Sequence, residues 1–147
     1  MKLVRIPTEL LDTVWTLVQP SIQEALVFSG NHTDSDFVLE TLKADKYQLW
    51  IVWDISQKTT LDKFKGVVVT ELIKKKLKQS CHIFIMTGKG RQQWQHLLSV
   101  IEDFAEQHGC DQMELIARPG WARILKQYKY KRTHVVLEKQ LNKQEKT

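Results

Sequence analysis

Apolar residues Leu10, Leu11, Val14, Leu17, Val18, Ile22, Ala25 and Leu26 recur at helical spacing. The stretch "TELLDTVWTLVQPSIQEALVFSG" (8–30) therefore predicts an amphipathic helix, with Thr8 as its N-cap and Gly30 as its stop. Pro20 lacks an N–H and predicts a kink or a split. Asp34 or Ser35 then caps a short helix through "FVLETLK". "YQLWIVWD" (47–54), "FKGVVVTELI" (64–73) and "CHIFIM" (81–86) are rich in aromatic and β-branched residues and read as strands. The polar stretches "ISQKTTLDK" and "KKKLKQS" join them, which gives an antiparallel meander.

The clearest helix is "RQQWQHLLSVIEDFAEQHG" (91–109). Trp94, Leu97, Leu98, Ile101, Phe104 and Ala105 share one face, and Gly109 ends it. "QMELIA" is a further strand, "PGWARILKQY" a helix with Pro119 in its first turn, and "KRTHVVLEKQL" a closing strand. With a short strand ahead of the first helix, the order implies an α/β fold. Its mixed sheet is a meander followed by strand-helix-strand, with helices on both faces. Residues 1–141 are expected to form one domain, and "NKQEKT" (142–147) a polar basic tail.

Length and charge narrow the function classes. The chain of 147 residues suits one core, and it has no apolar run long enough to span a bilayer. A signal peptide is not expected, since Asp12 interrupts the region where its apolar stretch would lie. Cys81 and Cys110 lack metal-ligand spacing and read as reduced and buried, and no metal site is expected. The net charge of +5 is uneven: −3 over residues 1–73, +6 over 74–91, −3 over 92–125 and +5 over 126–147. Lys74, Lys75, Lys76 and Lys78, together with the basic tail, are candidates for contact with nucleic acid or an acidic protein surface. The same lysines also suit an edge protected against strand aggregation.

The element order, with a glycine loop after the third long strand, resembles the GNAT acyltransferase fold. The stretches "VWTLVQPSIQEAL", "YQLWIVWD", "VVVTELI", "TGKGRQQWQHLL", "IEDFAEQHGC", "ARPGWARIL" and "VVLEKQL" resemble small GNAT-like proteins of tailed bacteriophages, over about residues 14–141. The resemblance implies two functional readings. One is a degenerate, non-catalytic component of a phage particle, with other virion proteins as partners and no cofactor. The other is an acetyl-CoA-dependent N-acetyltransferase. Either implies residence in the cytoplasm of an infected bacterium, and the first implies the virion as well.

GNAT enzymes hold the cofactor pyrophosphate on a loop resembling Gln/Arg-x-x-Gly-x-Gly/Ala. In this chain Gly88, Lys89, Gly90 and Arg91 stand at the corresponding strand-to-helix junction. The loop is thus a shifted anion cradle or a simple turn. Alignment from the helix end instead places Trp94 where the family has a glycine, and its phase marks it as core. The family's thiolate-protonating tyrosine corresponds to Leu125, with Tyr128 one turn beyond as the candidate substitute. For a general base the candidates are Glu71, at the end of an apolar strand, and His82. Cys81 and His82 are strand neighbours on opposite faces and do not form a nucleophilic pair. Arg118, Pro119, Gly120 and Trp121 shape a strand-to-helix junction at which Arg118 could meet an anion. The lysine hairpin lies about 25 Å or more from Lys89 along the strand, so the two basic patches cannot share one pyrophosphate.

Overall fold

A computed structural model describes residues 1–28, 33–116 and 119–142 of the chain. The expected helix stop at Gly30, the junction residue Arg118 and the tail beyond Asn142 lie outside the described residues. The chain divides into two compact units, Met1–Ile116 and Ala117–Thr147.

The first unit holds a five-stranded sheet in sequential order, β1 to β5. The strands are β1 (Lys2–Ile6), β2 (Tyr47–Trp53), β3 (Phe64–Lys74), β4 (Gln79–Gly88) and β5 (Gln112–Leu115). The first four pair antiparallel, and β5 runs parallel to β4. The predicted meander is therefore present, and the sheet is mixed. Val67, Val68 and Val69 at the centre of β3 are all fully buried, as expected for a strand covered on both faces.

Side-chain alternation assigns the two faces. Leu49, Ile51, Val67, Val69 and Ile85 join Leu11, Val18, Ile22 and Leu26 of helix α1 (Leu11–Phe28). Val38 and Leu42 of α2 (Ser35–Lys43) complete that cluster. On the opposite face the Trp50 ring meets Phe104 of α4 (Leu98–Gln107) edge-on at 5.1 Å. A one-turn helix, α3 (Thr60–Lys63), which the sequence reading leaves as a polar connection, is capped by the Thr59 side chain. Asp34 caps α2 as expected, accepting the Phe37 N–H at 2.8 Å.

Three expectations are revised. First, α1 passes through Pro20 without a break. Pro20 and Thr16, whose carbonyl loses its helical donor, both lie on the exposed side, where water replaces the bond. Its N-terminus is preceded by a 3-10 turn over Thr8–Leu10, with Pro7 and not Thr8 at the cap position. Second, the helix predicted from residue 91 is α-helical only from Leu98, after 3-10 turns at Arg91–Gln93 and Gln95–Leu97. Trp94 sits between those turns with φ −127°, outside helical geometry, and is fully buried.

The third revision concerns the second unit. Helix α5 (Pro119–Leu125) and a 3-10 turn (Lys126–Tyr128) are present, with Pro119 in the first turn. The predicted closing strand is not: residues 131–142 carry no regular structure. Val135 and Leu137 are 61% and 89% exposed. The valine-rich run has strand propensity, but propensity forms a strand only where a neighbour supplies pairing and burial.

Candidate active site

Four polar side chains form a row across the sheet. Tyr47 of β2 is the register partner of Glu71 of β3, Glu71 of His82 of β4, and His82 of Glu114 of β5. Register partners project to the same face, and Tyr47 packs on the core cluster of α1 and α2, so the row lies on that face. His82 Nδ1 lies 3.5 Å from Glu114 Oε1. This is an ion-pair approach and not a hydrogen bond, so the buried Nδ1 has no hydrogen-bond partner. The other carboxylate oxygen, Oε2, accepts from Lys75 Nζ at 3.0 Å. Burial pushes the Tyr47 phenol above its usual range, and the Glu71 charge adds to the rise.

The sequence candidates Glu71 and His82 are thus brought together. Tyr47 and Glu114 complete the group and are absent from the sequence-based candidates, and Lys75 is read there only as part of the basic hairpin. Glu114 is the only charged residue in "QMELIA", but nothing in the sequence supplies the β4–β5 register that sets it beside His82.

The row lies next to the end of the β4–β5 ladder. The β4–β5 ladder covers only Ser80–Ile83 against Gln112–Leu115. Strand β4 continues to Gly88, paired with β3 alone, so its other edge has no strand beside it among the described residues from Phe84 onward. At this point β4 also carries one extra residue. Val69 faces Ile85 while Thr70 faces Ile83, so Phe84 forms a bulge. A bulge re-aims local backbone groups, and this one adjoins the pair His82–Glu114 at the end of the β4–β5 ladder.

At the far end of β4 lies the glycine loop. Gly88 is the register partner of Gly66, and a Cβ on Gly88 would stand 2.6 Å from the Gly66 Cα. Gly90 has φ +58°, in the left-handed region that favours glycine. Both glycines therefore meet a structural demand of their own. The Lys89 N–H donates to the Lys65 carbonyl at 2.8 Å, and the Lys89 carbonyl accepts the Trp94 indole N–H at 3.0 Å. Lys89 and Gly90 are exposed and Arg91 is half-buried. Since α4 starts at Leu98, its N-terminal amides lie seven residues beyond Arg91 in sequence.

The remaining candidates belong to other elements. Tyr128 ends the 3-10 turn of the second unit and is half-buried, while Leu125 is buried. Cys81 is fully buried with its thiol pushed up to about 12, first by burial and then by Cys110, while a Thr70 hydrogen bond acts against the rise. Burial and Asp111 raise the Cys110 thiol as well. Neither thiol is poised as a nucleophile. Among the described residues no group of three or more His, Cys, Asp or Glu side chains is placed to hold a metal ion. No described helix is long and apolar enough to cross a membrane. The lysine hairpin closes through a Lys75 N–H to Lys78 carbonyl bond of 2.8 Å, with Leu77 exposed at its tip.

No protein-family model matches the chain, and no curated protein matches it. Solved structures do. A protein described as a probable acetyltransferase superposes with a TM-score of 0.71 at 14% identity, covering 99% of this chain and 100% of that one. The fold is GNAT-like. Glucosamine-6-phosphate N-acetyltransferase from Arabidopsis thaliana gives a TM-score of 0.64 at 12% identity, covering 96% of this chain and 98% of its own. An aminoglycoside acetyltransferase from an uncultured soil metagenomic sample gives 0.63 at 14%, with 96% of each chain covered. At these identities the likeness establishes the GNAT-like fold and leaves the activity to be argued from the site.

Proposed function

We propose that the protein is an acyl-CoA-dependent N-acyltransferase that uses the edge of β4 beyond the end of its ladder with β5. The observation that carries this reading is the position of the polar row Tyr47–Glu71–His82–Glu114 beside the end of that ladder. The unpaired edge of β4 offers backbone donors and acceptors for an extended, amide-bearing arm. Lys89 and Arg91 at the far end of the strand offer positive charge for its phosphates. The similarity to solved acetyltransferases supports the same reading. Neither the geometry nor those similarities supports a role in a phage particle.

A thioester supplies an activated acyl group, and what the protein must add is a place for an amine and an acceptor for its proton. Glu71 and His82 are the two groups of the row able to take that proton. The acidic residues of the row favour an acceptor that arrives as an ammonium ion. Calorimetry with acetyl-CoA, paired with thiol-release assays over a panel of primary amines, tests the proposal. Binding at or below ~100 μM (about −5.5 kcal/mol), weakened by Lys89→Glu, is the expected result. No binding at millimolar acetyl-CoA would refute the reading.

A further inference from the structure

We infer that His82 Nε2 is the proton acceptor and that Glu114, held by Lys75, is a positioning residue that makes it so. The inference rests on the acyltransfer reading for its chemistry, but its geometry stands independently. A neutral imidazole carries one proton, and the group near each ring nitrogen decides which one holds it. His82 Nδ1 is buried, lacks a hydrogen-bond partner and faces Glu114 Oε1 at 3.5 Å. A carboxylate only accepts, so that approach is favourable when Nδ1 carries the hydrogen. The lone pair is then left on Nε2.

Lys75 fixes the other end of the chain. Its ammonium lies 3.0 Å from Glu114 Oε2, so the carboxylate is anchored on one oxygen while it presents the other to His82. The remaining ionisable groups of the row are Glu71, directly across β3 from His82, and Tyr47 beyond it. Glu71 sets a second carboxylate across β3 from the ring. In the transfer step the ammonium acceptor first loses one proton to solvent, the amine nitrogen so freed bonds to the thioester carbonyl carbon and the C–S bond breaks. The amine proton passes to Nε2. The sulfur keeps the bonding pair and takes a proton from solvent, and the imidazolium later releases its own to solvent.

The test is nitrogen-15 NMR of the histidine-labelled protein, with the His82 signals assigned by a His82→Gln variant, alongside Glu114→Ala and Glu114→Gln. In the unsubstituted protein the neutral ring should favour the Nδ1–H form by about tenfold, the electrostatic preference for a hydrogen that faces the Glu114 carboxylate at 3.5 Å. Glu114→Ala should abolish that preference. Glu114→Gln has a single acceptor oxygen, which the Lys75 ammonium claims, so its NH2 faces Nδ1 and the preference should be lost or reversed, which a merely structural role for Glu114 would not require. In an active enzyme Glu114→Ala should also lower kcat/KM by about 10- to 100-fold with KM for acetyl-CoA unchanged. An Nε2–H form in the unsubstituted protein would overturn the inference. So would a preference that survives Glu114→Ala, or full activity in a variant that has lost it. If no acyl transfer is found while the tautomer responds as stated, the acyltransfer reading and the assignment of Nε2 as acceptor fail, and the positioning of the ring by Glu114 stands.

Discussion

Trp94 donates its indole N–H to the carbonyl oxygen of Lys89 at 3.0 Å, and its ring closes against Gly66. One side chain therefore ties the glycine loop to the sheet and fills the space beneath it. Trp94→Ala should cost about 3–5 kcal/mol, the range for emptying a large aromatic site in a core. Trp94→Phe keeps most of the volume but loses the hydrogen bond, for about 1 kcal/mol. Urea denaturation of the two variants measures both. A loss below 1 kcal/mol for Trp94→Ala would show that the ring is not the anchor described.

The two glycines of the β3–β4 ladder allow a complementary measurement. A Cβ on Gly66 would meet Trp94 Cζ2 at 2.9 Å and the Thr87 carbonyl oxygen at 3.0 Å. Side-chain atoms can yield, so Gly66→Ala should destabilise by about 1–3 kcal/mol, the usual range for overpacking. At Gly88 the obstruction is backbone on the partner strand, which cannot yield without opening the ladder. Gly88→Ala should therefore be the more destabilising of the two in the same denaturation assay. The reverse order would contradict the close approach of Gly66 and Gly88.

The sequence carried the fold further than the site, and particular residues show why. Valines 67–69, the Asp34 cap and the aromatic strand 47–53 are local patterns, and each forms the element that its pattern predicts. The helix start at residue 91 is displaced because Trp94, in phase with the apolar face, is held by a bond to Lys89 that no helical periodicity encodes. Residues 131–142 show the other failure, since strand propensity says nothing about whether an edge is available. Glu71 and His82 were legible as ionisable residues on strands. Their partnership with each other and with Glu114 depends on two register relationships and a bulge at Phe84, which are properties of the assembled sheet.

On the α4 face, Thr70 accepts the Trp50 indole N–H at 3.0 Å and donates to the Gln48 side-chain oxygen at 2.8 Å. All three residues are buried. Thr70→Val preserves the shape but leaves a buried donor and a buried acceptor unpaired. Each costs about 1–3 kcal/mol, so the variant should lose at least about 2 kcal/mol. Thermal unfolding that is unchanged would mean that the bonds are replaced by others.

Cys81 gives a pH dependence with a defined sign. Its thiol is raised from 9.0 to about 12, so the folded chain holds that proton more tightly than the unfolded chain. Any stability derived from this group is fully present below about pH 9 and is lost as the pH rises toward about 12. At pH 8 the folded protein should also carry roughly a thousandfold less Cys81 thiolate than the denatured chain. Alkylation by iodoacetamide, mapped by mass spectrometry, should leave Cys81 unmodified until denaturant is added. Rapid labelling of Cys81 in the native protein would contradict its burial.

Tyr47 and Glu71 supply a test of the polar row that requires no ligand. The Tyr47 phenol is raised by burial first and by the Glu71 carboxylate second. Removing that charge with Glu71→Gln should move the Tyr47 midpoint back toward 10.0 without reaching it, because burial remains. Tyr47 can be isolated by difference absorbance against a Tyr47→Phe variant. The sign for stability is the same as for a buried thiol: the folded state binds the proton more tightly, so stability falls as the pH rises above about 10. Glu71→Gln should make that fall shallower. A Tyr47 midpoint insensitive to Glu71→Gln would mean that the two side chains are not neighbours on one face, and the row on which the proposed site depends would be broken at its first link.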